Sequence, residues 1–369
     1  MIPYGHQHIE RDDINAVIKV LQSDWLTQGP KVSEFESKLA AYCGAKFAVA
    51  VNNGTMALHL AYLAAGLKLD DEVITTPNTF VATSNMLLAV GAKPVFCDIR
   101  PDTYNIDEKQ IAKLITKKTK AIVPVHFAGQ PCAMDEILKI AKKYKLLVIE
   151  DACHALGAKY KNRKIGSLKS AMTVFSFHPV KPITTAEGGV IVTNNKAYYE
   201  KMLILRNHGV FKDRLGNNVM IDLGYNYRMN DLQAALGVSQ LKKIDRFIRQ
   251  RRQVYARYEK YLRGVPAVIR PIESAGNYNG WHIYVIIVAD NLRDKLRQYL
   301  KASGIGVNFH YPAVYSHPYY KKIGYRRTRL KTEEIYSSTC VTLPCYPDLS
   351  EKQIAYICRQ IKNFFHTNG

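Results

Sequence analysis

The chain has 369 residues, of which 47% are hydrophobic and 22% charged, a composition typical of a globular protein with a sizeable core. Its formal net charge of +21 allows nucleic acid, an anionic membrane or a polyanionic small substrate as a partner. The seven cysteines are scattered, without a CxxC pair or a zinc-ligand spacing. We therefore expect no disulfide framework and no metal site, and we predict a reduced, cytoplasmic protein. No signal peptide or membrane-spanning segment is expected, since no apolar run is long enough.

The basic residues are spread along the chain rather than gathered in one stripe. The densest group is KKIGYRRTRLK (321–331), followed by RFIRQRR (246–252). The second group lies in a helical pattern, and we interpret it as a solvated helix face. A nucleic-acid-binding protein would need a clustered basic stripe with interleaved aromatic residues. The 321–331 segment is too short for that alternative, so no nucleic-acid partner is expected.

Strand and helix patterns alternate through the first two-thirds of the chain. Short apolar runs without polar alternation predict seven buried strands, over residues 46–51, 71–77, 93–99, 120–127, 145–151, 173–178 and 188–194. Helical spacing follows several of them, as in NNGTMALHLAYLAAGL after the first. This order predicts an α/β fold, with a mostly parallel central sheet and helices on both faces. Ligands of such sheets bind at the carboxyl ends of the strands.

The pattern changes after about residue 240. One long helix is predicted over 231–262, in which the only glycine is Gly237. We interpret this helix as a connector between the two parts of the chain. Strand and helix patterns of a smaller α+β domain follow, ending in the helix EKQIAYICRQIKNFF. We therefore predict a large domain over 1–240 and a small C-terminal domain over 241–369.

Lys181 lies between two prolines in SFHPVKPITTAEGG (176–189). The prolines restrict the backbone around it. One interpretation is a solvated lysine in a surface loop; the other is a fixed lysine that forms a Schiff base with a carbonyl cofactor. Asp151 ends the strand LLVIED, where it is either a helix N-cap before ACHALGA or a partner for a cofactor. A carboxylate and a distant lysine are what pyridoxal 5'-phosphate requires, and the strand register favours Asp151 over Glu150 for that role.

Such a cofactor needs a phosphate site and a place for its ring. Gly54 and Thr55 lie between a strand and a helix, where backbone N–H groups bind anions, although many strand–turn–helix units carry Gly-Thr. Ser176 is a second candidate phosphate ligand. Phe80 could stack on a flat heterocycle, or belong to the core. His154 could share a face with Asp151 at a helix start and contact the phenolic oxygen, or be structural.

Several segments together resemble the DegT-type sugar aminotransferases: NNGTMALHLA, TPNTFVATSN, EDACHALGA, FSFHPVKPITTAEGG and GYNYRMNDLQAALG. The resemblance extends from SDWLTQGP (23–30) to GIGVNFHYPAVY (304–315) in one order. It implies a fold-type I pyridoxal-phosphate enzyme, with the cofactor in the large domain, that acts on keto nucleotide sugars. HPVK and PVHFAGQPC (124–132) most resemble the branch that aminates UDP-2-acetamido-2,6-dideoxy-β-L-arabino-hexos-4-ulose in pseudaminic acid synthesis.

The resemblance implies a role for each matching residue. The catalytic lysine would be Lys181, and cofactor contacts would come from Gly54, Thr55, Phe80, Asp151, His154, Ser176 and Asn226. Because the residue matching Asn226 contacts the phosphate from the other subunit, a homodimer with active sites at the interface is implied. The sugar nucleotide would meet Thr27, His310 and Tyr311.

Two positions depart from the pattern of the family. Ala186 replaces a glycine of many relatives, and we expect no loss of chemistry, since alanine tolerates most backbone angles except positive φ. Cys153 stands where relatives often carry a small residue, and we expect it to be a buried small hydrophobe.

The expected reaction is transamination, from L-glutamate to C4 of a UDP-linked 4-keto-6-deoxy-N-acetyl sugar. The core motifs leave open a different keto sugar, with a C3 ketone, the D configuration or a dTDP carrier. Sugar dehydration is a further alternative, but the branch of the family that performs it replaces the lysine with histidine, and this chain has Lys181.

Overall fold

The computed structural model describes residues 1–289 and 292–368. The strands are β1 (Phe47–Val51), β2 (Glu72–Thr75), β3 (Lys93–Phe96), β4 (Thr119–Val123), β5 (Leu147–Asp151), β6 (Lys159–Tyr160), β7 (Arg163–Lys164), β8 (Met172–Ser176), β9 (Gly189–Thr193), β10 (Val210–Lys212), β11 (Asn218–Met220), β12 (Val268–Ile269), β13 (Asn277–Tyr278), β14 (Tyr284–Val288) and β15 (Cys340–Leu343). The helices are α1 (Arg11–Leu21), α2 (Pro30–Cys43), α3 (Gly54–Ala64), α4 (Ala82–Ala89), α5 (Glu108–Ile111), α6 (Met134–Tyr144), α7 (Lys196–Arg206), α8 (Asp231–Leu241), α9 (Ile244–Tyr261), α10 (Arg293–Ala302), α11 (Pro318–Lys322), α12 (Lys331–Thr339) and α13 (Glu351–Asn368).

Seven strands form the central sheet in the order β1-β9-β8-β5-β4-β2-β3, and each corresponds to one of the seven predicted strands. The pairs β8–β5, β5–β4, β4–β2 and β2–β3 are parallel. Strand β9 is antiparallel to both of its neighbours, β1 and β8, because only the loop 177–188 connects it to β8 and no helix crosses over. The prediction of a mostly parallel α/β sheet is confirmed.

Each face of the sheet is covered by helices. Along β1, Ala48 and Ala50 join a hydrophobic cluster that contains side chains of α2, α6, α8 and α9. The alternate residues Val49 and Val51 join a second cluster, with side chains of α3 and α7. This alternation is the period of two expected of a strand. Both faces are therefore apolar, and the strand ends are left to carry polar groups.

A smaller sheet, β12-β14-β15, packs with α9, α10 and α13 around a third hydrophobic cluster. The N-terminal segment joins this part of the protein through a bridge between Ile2 and Ile305. Strand β13 instead pairs with β6. We propose a division into residues 1–240 and 241–369, in which β13 and the N-terminal segment link the two parts.

The single helix predicted over 231–262 is wrong. Helix α8 ends at Leu241 and α9 begins at Ile244. At the break, the Lys242 and Lys243 amides bond to carbonyls three residues back instead of four. The Lys243 ammonium lies 2.6 Å from Asp12 Oδ1 and 2.8 Å from Asp13 Oδ2. Because these contacts come from α1, the helical spacing of the sequence does not reveal the break.

Within the described residues, no helix combines the length and apolarity needed to cross a membrane. All seven cysteines are free thiols.

Candidate active site

The candidate site lies at one edge of the central sheet. Strand β1 runs in the same direction as β8 and β5, since β9 is antiparallel to both β1 and β8. The carboxyl ends of these strands therefore meet at one edge. Gly54 follows β1, Ser176 ends β8 and Asp151 ends β5. Lys181 lies in the loop that leaves the same edge toward β9.

Gly54 and Ser176 lie in direct contact. A Cβ atom on Gly54 would be 2.8 Å from Ser176 Cβ and 3.0 Å from its Oγ, so the close approach requires a glycine. Gly54 is the first residue of α3, and the side chain of Asn53 caps that helix by accepting from the Met56 amide at 2.9 Å. The free amides of this helix start, including that of Thr55, and the Ser176 hydroxyl suit a phosphate group.

Asp151 is 4% exposed, and both of its carboxylate oxygens are held. Thr83 donates its hydroxyl to Oδ2 at 2.7 Å, and the Cys153 amide donates to Oδ1 at 3.1 Å. Thr79 lies 2.8 Å from the Thr83 hydroxyl and extends the chain of hydrogen bonds. The adjacent Glu150 instead bonds to His126 at 2.7 Å, in a fully buried pair. The two carboxylates thus face different surroundings, as the strand register predicts.

Lys181 is partly buried, and its amide bonds to the His178 carbonyl at 2.9 Å in a tight turn. Burial lowers the pKa of the Lys181 amine below its ordinary value, and the Arg251 cation lowers it further. The negative charge of Asp151 opposes that shift. The interpretation of Lys181 as a merely solvated lysine is therefore wrong, because its amine is partly desolvated and lies near Asp151.

His154 does not begin a helix, and that prediction is wrong. Residues 152–158 form successive turns, in which the Ala155 and Ala158 amides each bond to a carbonyl three residues back. The same geometry excludes the alternative of Asp151 as a helix N-cap. Gly157, with φ of +82°, then directs the chain away from a helical path.

His154 is buried, and its Nε2 lies 3.1 Å from the Tyr311 hydroxyl. Its Nδ1 has no hydrogen-bond partner among the described residues. Burial lowers the pKa of His154 well below its ordinary value, and the charge of Lys181 acts in the same direction. The imidazole is therefore neutral near pH 7 and has one nitrogen available for a ligand.

Phe80 is 59% exposed, which excludes the alternative of an ordinary core residue. Its ring centroid lies 6.3 Å from that of Tyr311. The Tyr311 amide donates to Asn78 Oδ1 at 3.2 Å, which fixes the backbone of Tyr311. An exposed ring beside the buried His154 and the partly buried Tyr311 leaves one aromatic face free for a flat ligand.

The remaining predicted residues lie in two different settings. His310 is buried, with Nδ1 2.9 Å from the Thr342 hydroxyl, and precedes Tyr311 on the wall of the site. Thr27 and Asn226 are exposed, and their backbone bridges are to Asn230 and Asn207. The structure thus brings His310 to the residues around Lys181, and leaves Thr27 and Asn226 on the surface.

Ala186 adopts φ of +66°. This is the positive-φ region, which alanine tolerates poorly, so the backbone at this position differs from what we expected. Its amide donates to the Thr184 hydroxyl at 2.9 Å, which holds the turn in place. The methyl group therefore costs conformational energy at this position, where a glycine would not. Cys153 is partly buried and packs against the second hydrophobic cluster.

Sequence reasoning missed two buried groups of the site, Arg251 and His282. Arg251 is 1% exposed, so the interpretation of 246–252 as a solvated helix face is wrong for this residue. The His282 ring centroid lies 4.3 Å from that of His154. Arg251 occupies an apolar position of α9, together with Ile244, Phe247, Ile248, Val254 and Tyr258. That periodicity was the available signal.

The donor groups of this edge fit pyridoxal phosphate. Four groups lie at one edge of the sheet. They are the Lys181 amine with its lowered pKa, the Asp151 carboxylate held by hydrogen bonds, the phosphate cradle at Gly54, and the His154 Nδ1, which has no partner among the described residues. These are the groups that an aldehyde, a pyridine nitrogen, a phosphate and a phenolic oxygen require.

Comparison with known proteins supports this assignment. The model of the DegT/DnrJ/EryC1/StrS aminotransferase family matches residues 7–362. A relative from Campylobacter jejuni subsp. jejuni serotype O:23/36 (strain 81-176), UDP-4-amino-4,6-dideoxy-N-acetyl-beta-L-altrosamine transaminase, is 42% identical over 97% of this chain and 96% of its own length. The structure of Helicobacter pylori PseC, an aminotransferase involved in the biosynthesis of pseudoaminic acid, superposes with a TM-score of 0.95 at 34% identity, covering 99% of each chain. Spr1654 from Streptococcus pneumoniae in its PLP form superposes with a TM-score of 0.94 at 29% identity, also covering 99% of each chain.

Proposed function

The chain belongs to the DegT/DnrJ/EryC1/StrS aminotransferase family, and we propose that it aminates C4 of a UDP-linked 4-keto-6-deoxy-N-acetyl sugar with L-glutamate as the donor. The sugar aminotransferases of this family depend on pyridoxal phosphate, and the fold is that of fold-type I. The observation that carries the chemistry is the partly buried Lys181 amine near the fixed Asp151 carboxylate. The choice of sugar is supported by the names of the Campylobacter and Helicobacter relatives, which also suggest pseudaminic acid biosynthesis.

When bound, pyridoxal phosphate would supply an electrophilic aldehyde and a ring that can accept an electron pair. Lys181 is proposed to hold the aldehyde carbon and, once displaced, to move the proton at the donor Cα. Its lowered pKa favours the unprotonated amine, which both steps require. Asp151 is proposed to hold the proton of the pyridine nitrogen, since its two other hydrogen bonds fix the carboxylate in place.

The phosphate and the ring have separate proposed contacts. The amides of Gly54 and Thr55, at the start of α3, and the Ser176 hydroxyl bind the phosphate. The exposed Phe80 ring stacks on the heterocycle, and the neutral His154 contacts the phenolic oxygen. His310, Tyr311 and Thr27 are proposed to meet the sugar nucleotide.

We propose a homodimer in which Asn226 contacts the phosphate of the second copy. The hairpin β10–β11 and the segment after it expose apolar side chains, among them Phe211, Met220, Ile221 and Leu223, which are 40 to 65% exposed. A run of exposed apolar residues favours burial against a partner. Asn226 lies three residues beyond Leu223, so a copy that covers this segment also reaches Asn226.

The test is an amination assay with a panel of keto sugars. The purified protein is loaded with pyridoxal phosphate and given L-glutamate with UDP-linked and dTDP-linked 4-keto and 3-keto sugars. We expect the UDP-linked 4-keto-6-deoxy-N-acetyl sugar to be aminated fastest, and Lys181→Ala to be inactive but folded. Faster turnover of a 3-keto or dTDP-linked sugar would replace the proposed substrate, and activity in Lys181→Ala would refute the role of the lysine.

A further inference from the structure

Arg251 is a buried cation that has no acidic partner among the described residues. Its side chain is 1% exposed, and its guanidinium bonds only to backbone carbonyls within residues 1–289 and 292–368. Nη1 donates to the His282 and Cys345 carbonyls at 2.9 and 2.8 Å, and Nη2 donates to the Val180 carbonyl at 3.4 Å. A buried guanidinium is expensive to desolvate, so its retention in neutral surroundings indicates a role beyond packing.

The three carbonyls come from three separate segments of the chain. Val180 immediately precedes Lys181 in the loop between β8 and β9. The His282 ring packs against His154 on the wall of the candidate site. Cys345 follows β15 of the small sheet. Arg251 therefore ties the backbone that carries Lys181 to the part of the protein that surrounds it.

The positive charge of Arg251 is also uncompensated at close range. Arg251 and Lys181 line the same small cavity, which Gln240 and His6 also border. A cation that no carboxylate neutralises repels a neighbouring ammonium. Its charge acts in the same direction as burial on the pKa of Lys181, which lines this cavity with it, although the contribution is smaller than that of burial or of Asp151.

We propose that Arg251 is a positioning residue for Lys181, holding the Val180 carbonyl so that the lysine amine lies at a fixed point of the site. The uncompensated charge adds an electrostatic effect to this mechanical one, by disfavouring the ammonium form of Lys181. The inference rests on the proposed function of Lys181. It extends that function to a residue of α9 that acts through the backbone of the Lys181 loop.

Two substitutions separate the mechanical and electrostatic effects. Arg251→Met removes both the hydrogen bonds and the charge. Arg251→Lys retains the charge but cannot span three carbonyls with the same planar fork. Arg252→Met is the matched control, because Arg252 is the next residue of α9 and pairs with Glu273, at 2.5 and 3.0 Å, away from the Lys181 loop.

The first readout needs neither cofactor nor turnover. The apoprotein is labelled with an amine-selective reagent over a range of pH, and modification of Lys181 is followed by peptide mass spectrometry. We expect the midpoint of Lys181 labelling to move to higher pH in Arg251→Met, and to stay near that of the wild type in Arg251→Lys and Arg252→Met. An unchanged midpoint in a folded Arg251→Met protein would overturn the electrostatic part of the proposal.

The second readout is the division between kcat and KM. Misplacement of a reacting group by about 1 Å can cost roughly 100-fold in rate, so we expect kcat to fall by about that factor in both Arg251 variants with little change in KM. Equal losses in Arg252→Met, or wild-type kcat in a folded Arg251 variant, would overturn the mechanical part. If neither Arg251 variant folds while Arg252→Met does, Arg251 is only structural and the proposal is wrong. Failure of the wild-type protein to aminate any sugar would instead refute the proposed function, and the labelling result would still decide the role of Arg251.

Discussion

Substitution of Gly54 by alanine tests the phosphate cradle through a single methyl group. The added Cβ would lie 2.8 Å from Ser176 Cβ, closer than such atoms approach, and 3.0 Å from Ser176 Oγ, which is a tight contact. Ser176 must then move, and its hydroxyl moves with it. Because the same hydroxyl is a proposed phosphate ligand, the steric change becomes a change in cofactor affinity.

The Gly54→Ala substitution has two opposed effects on the free energy of unfolding and one effect on the affinity for pyridoxal phosphate. Overpacking of a filled site costs about 1–3 kcal/mol, whereas alanine in place of glycine within a helix gains roughly 0.5–1 kcal/mol. We therefore expect the free energy of unfolding of Gly54→Ala to fall by up to about 2.5 kcal/mol. Loss of one hydrogen bond to a charged group costs about 1.5–3 kcal/mol, so the dissociation constant for pyridoxal phosphate should rise roughly 10- to 100-fold.

The assay is titration of the apoprotein with pyridoxal phosphate, followed by visible absorbance, together with thermal unfolding. Gly280→Ala is the control, since a Cβ there would have no neighbour closer than 3.8 Å. In Ser176→Gly, both close contacts of the added methyl are absent, so Gly54→Ala should have little further effect in that background. Cofactor binding by Gly54→Ala within twofold of the wild type would refute the cradle, as would fully additive losses in the double variant.

Three further predictions concern residues around Lys181 and Asp151. Ala186→Gly should raise the free energy of unfolding by about 0.5–1 kcal/mol, because φ of +66° is strained for alanine, and an unchanged or lower unfolding temperature would contradict this. Thr83→Val removes the 2.7 Å hydrogen bond to Asp151 and should lower kcat at least tenfold, since a bond to a charged group contributes about 1.5–3 kcal/mol; a kcat within twofold in a folded variant would show that Asp151 needs no such support. Burial keeps the pKa of His154 well below its ordinary value, so protonation of His154 begins only at acidic pH; His154→Gln should lower kcat without changing the shape of the pH profile from about pH 6 to 8, and a lost limb in that range would contradict the neutral form.

Much of the fold could be predicted because its determinants are local. Each strand of the central sheet is a short apolar run, and such runs identify buried strands without knowledge of their partners. The break between α8 and α9 could not be predicted in the same way. Lys243 at this break contacts Asp12 and Asp13, more than two hundred residues earlier in the chain, and a local pattern does not contain such contacts.

The candidate site was predictable where its residues stand at strand ends. Gly54, Asp151 and Ser176 follow or end predicted strands, and parallel strands bring their carboxyl ends to one edge. His154 shows the limit of this reasoning. Its distance of three residues from Asp151 suggested a shared helical face, but the segment turns at Gly157, so the imidazole is positioned by its contact with Tyr311 instead.

For Arg251, the helical pattern was predicted correctly, but the exposure of the side chain was not. In RFIRQRR the density of charge suggested one solvated face, yet the arginines of a helix do not share a direction. Arg246 and Arg249 are exposed, whereas Arg251 lies seven residues after Ile244 and three after Ile248, in the apolar stripe of α9. A charged side chain that is buried in the apolar stripe of a helix is stable there only if polar groups of the protein form hydrogen bonds with it. Arg251 finds three carbonyls, and one of them adjoins Lys181, so the position that breaks the helical pattern is also the one that connects α9 to the proposed chemistry.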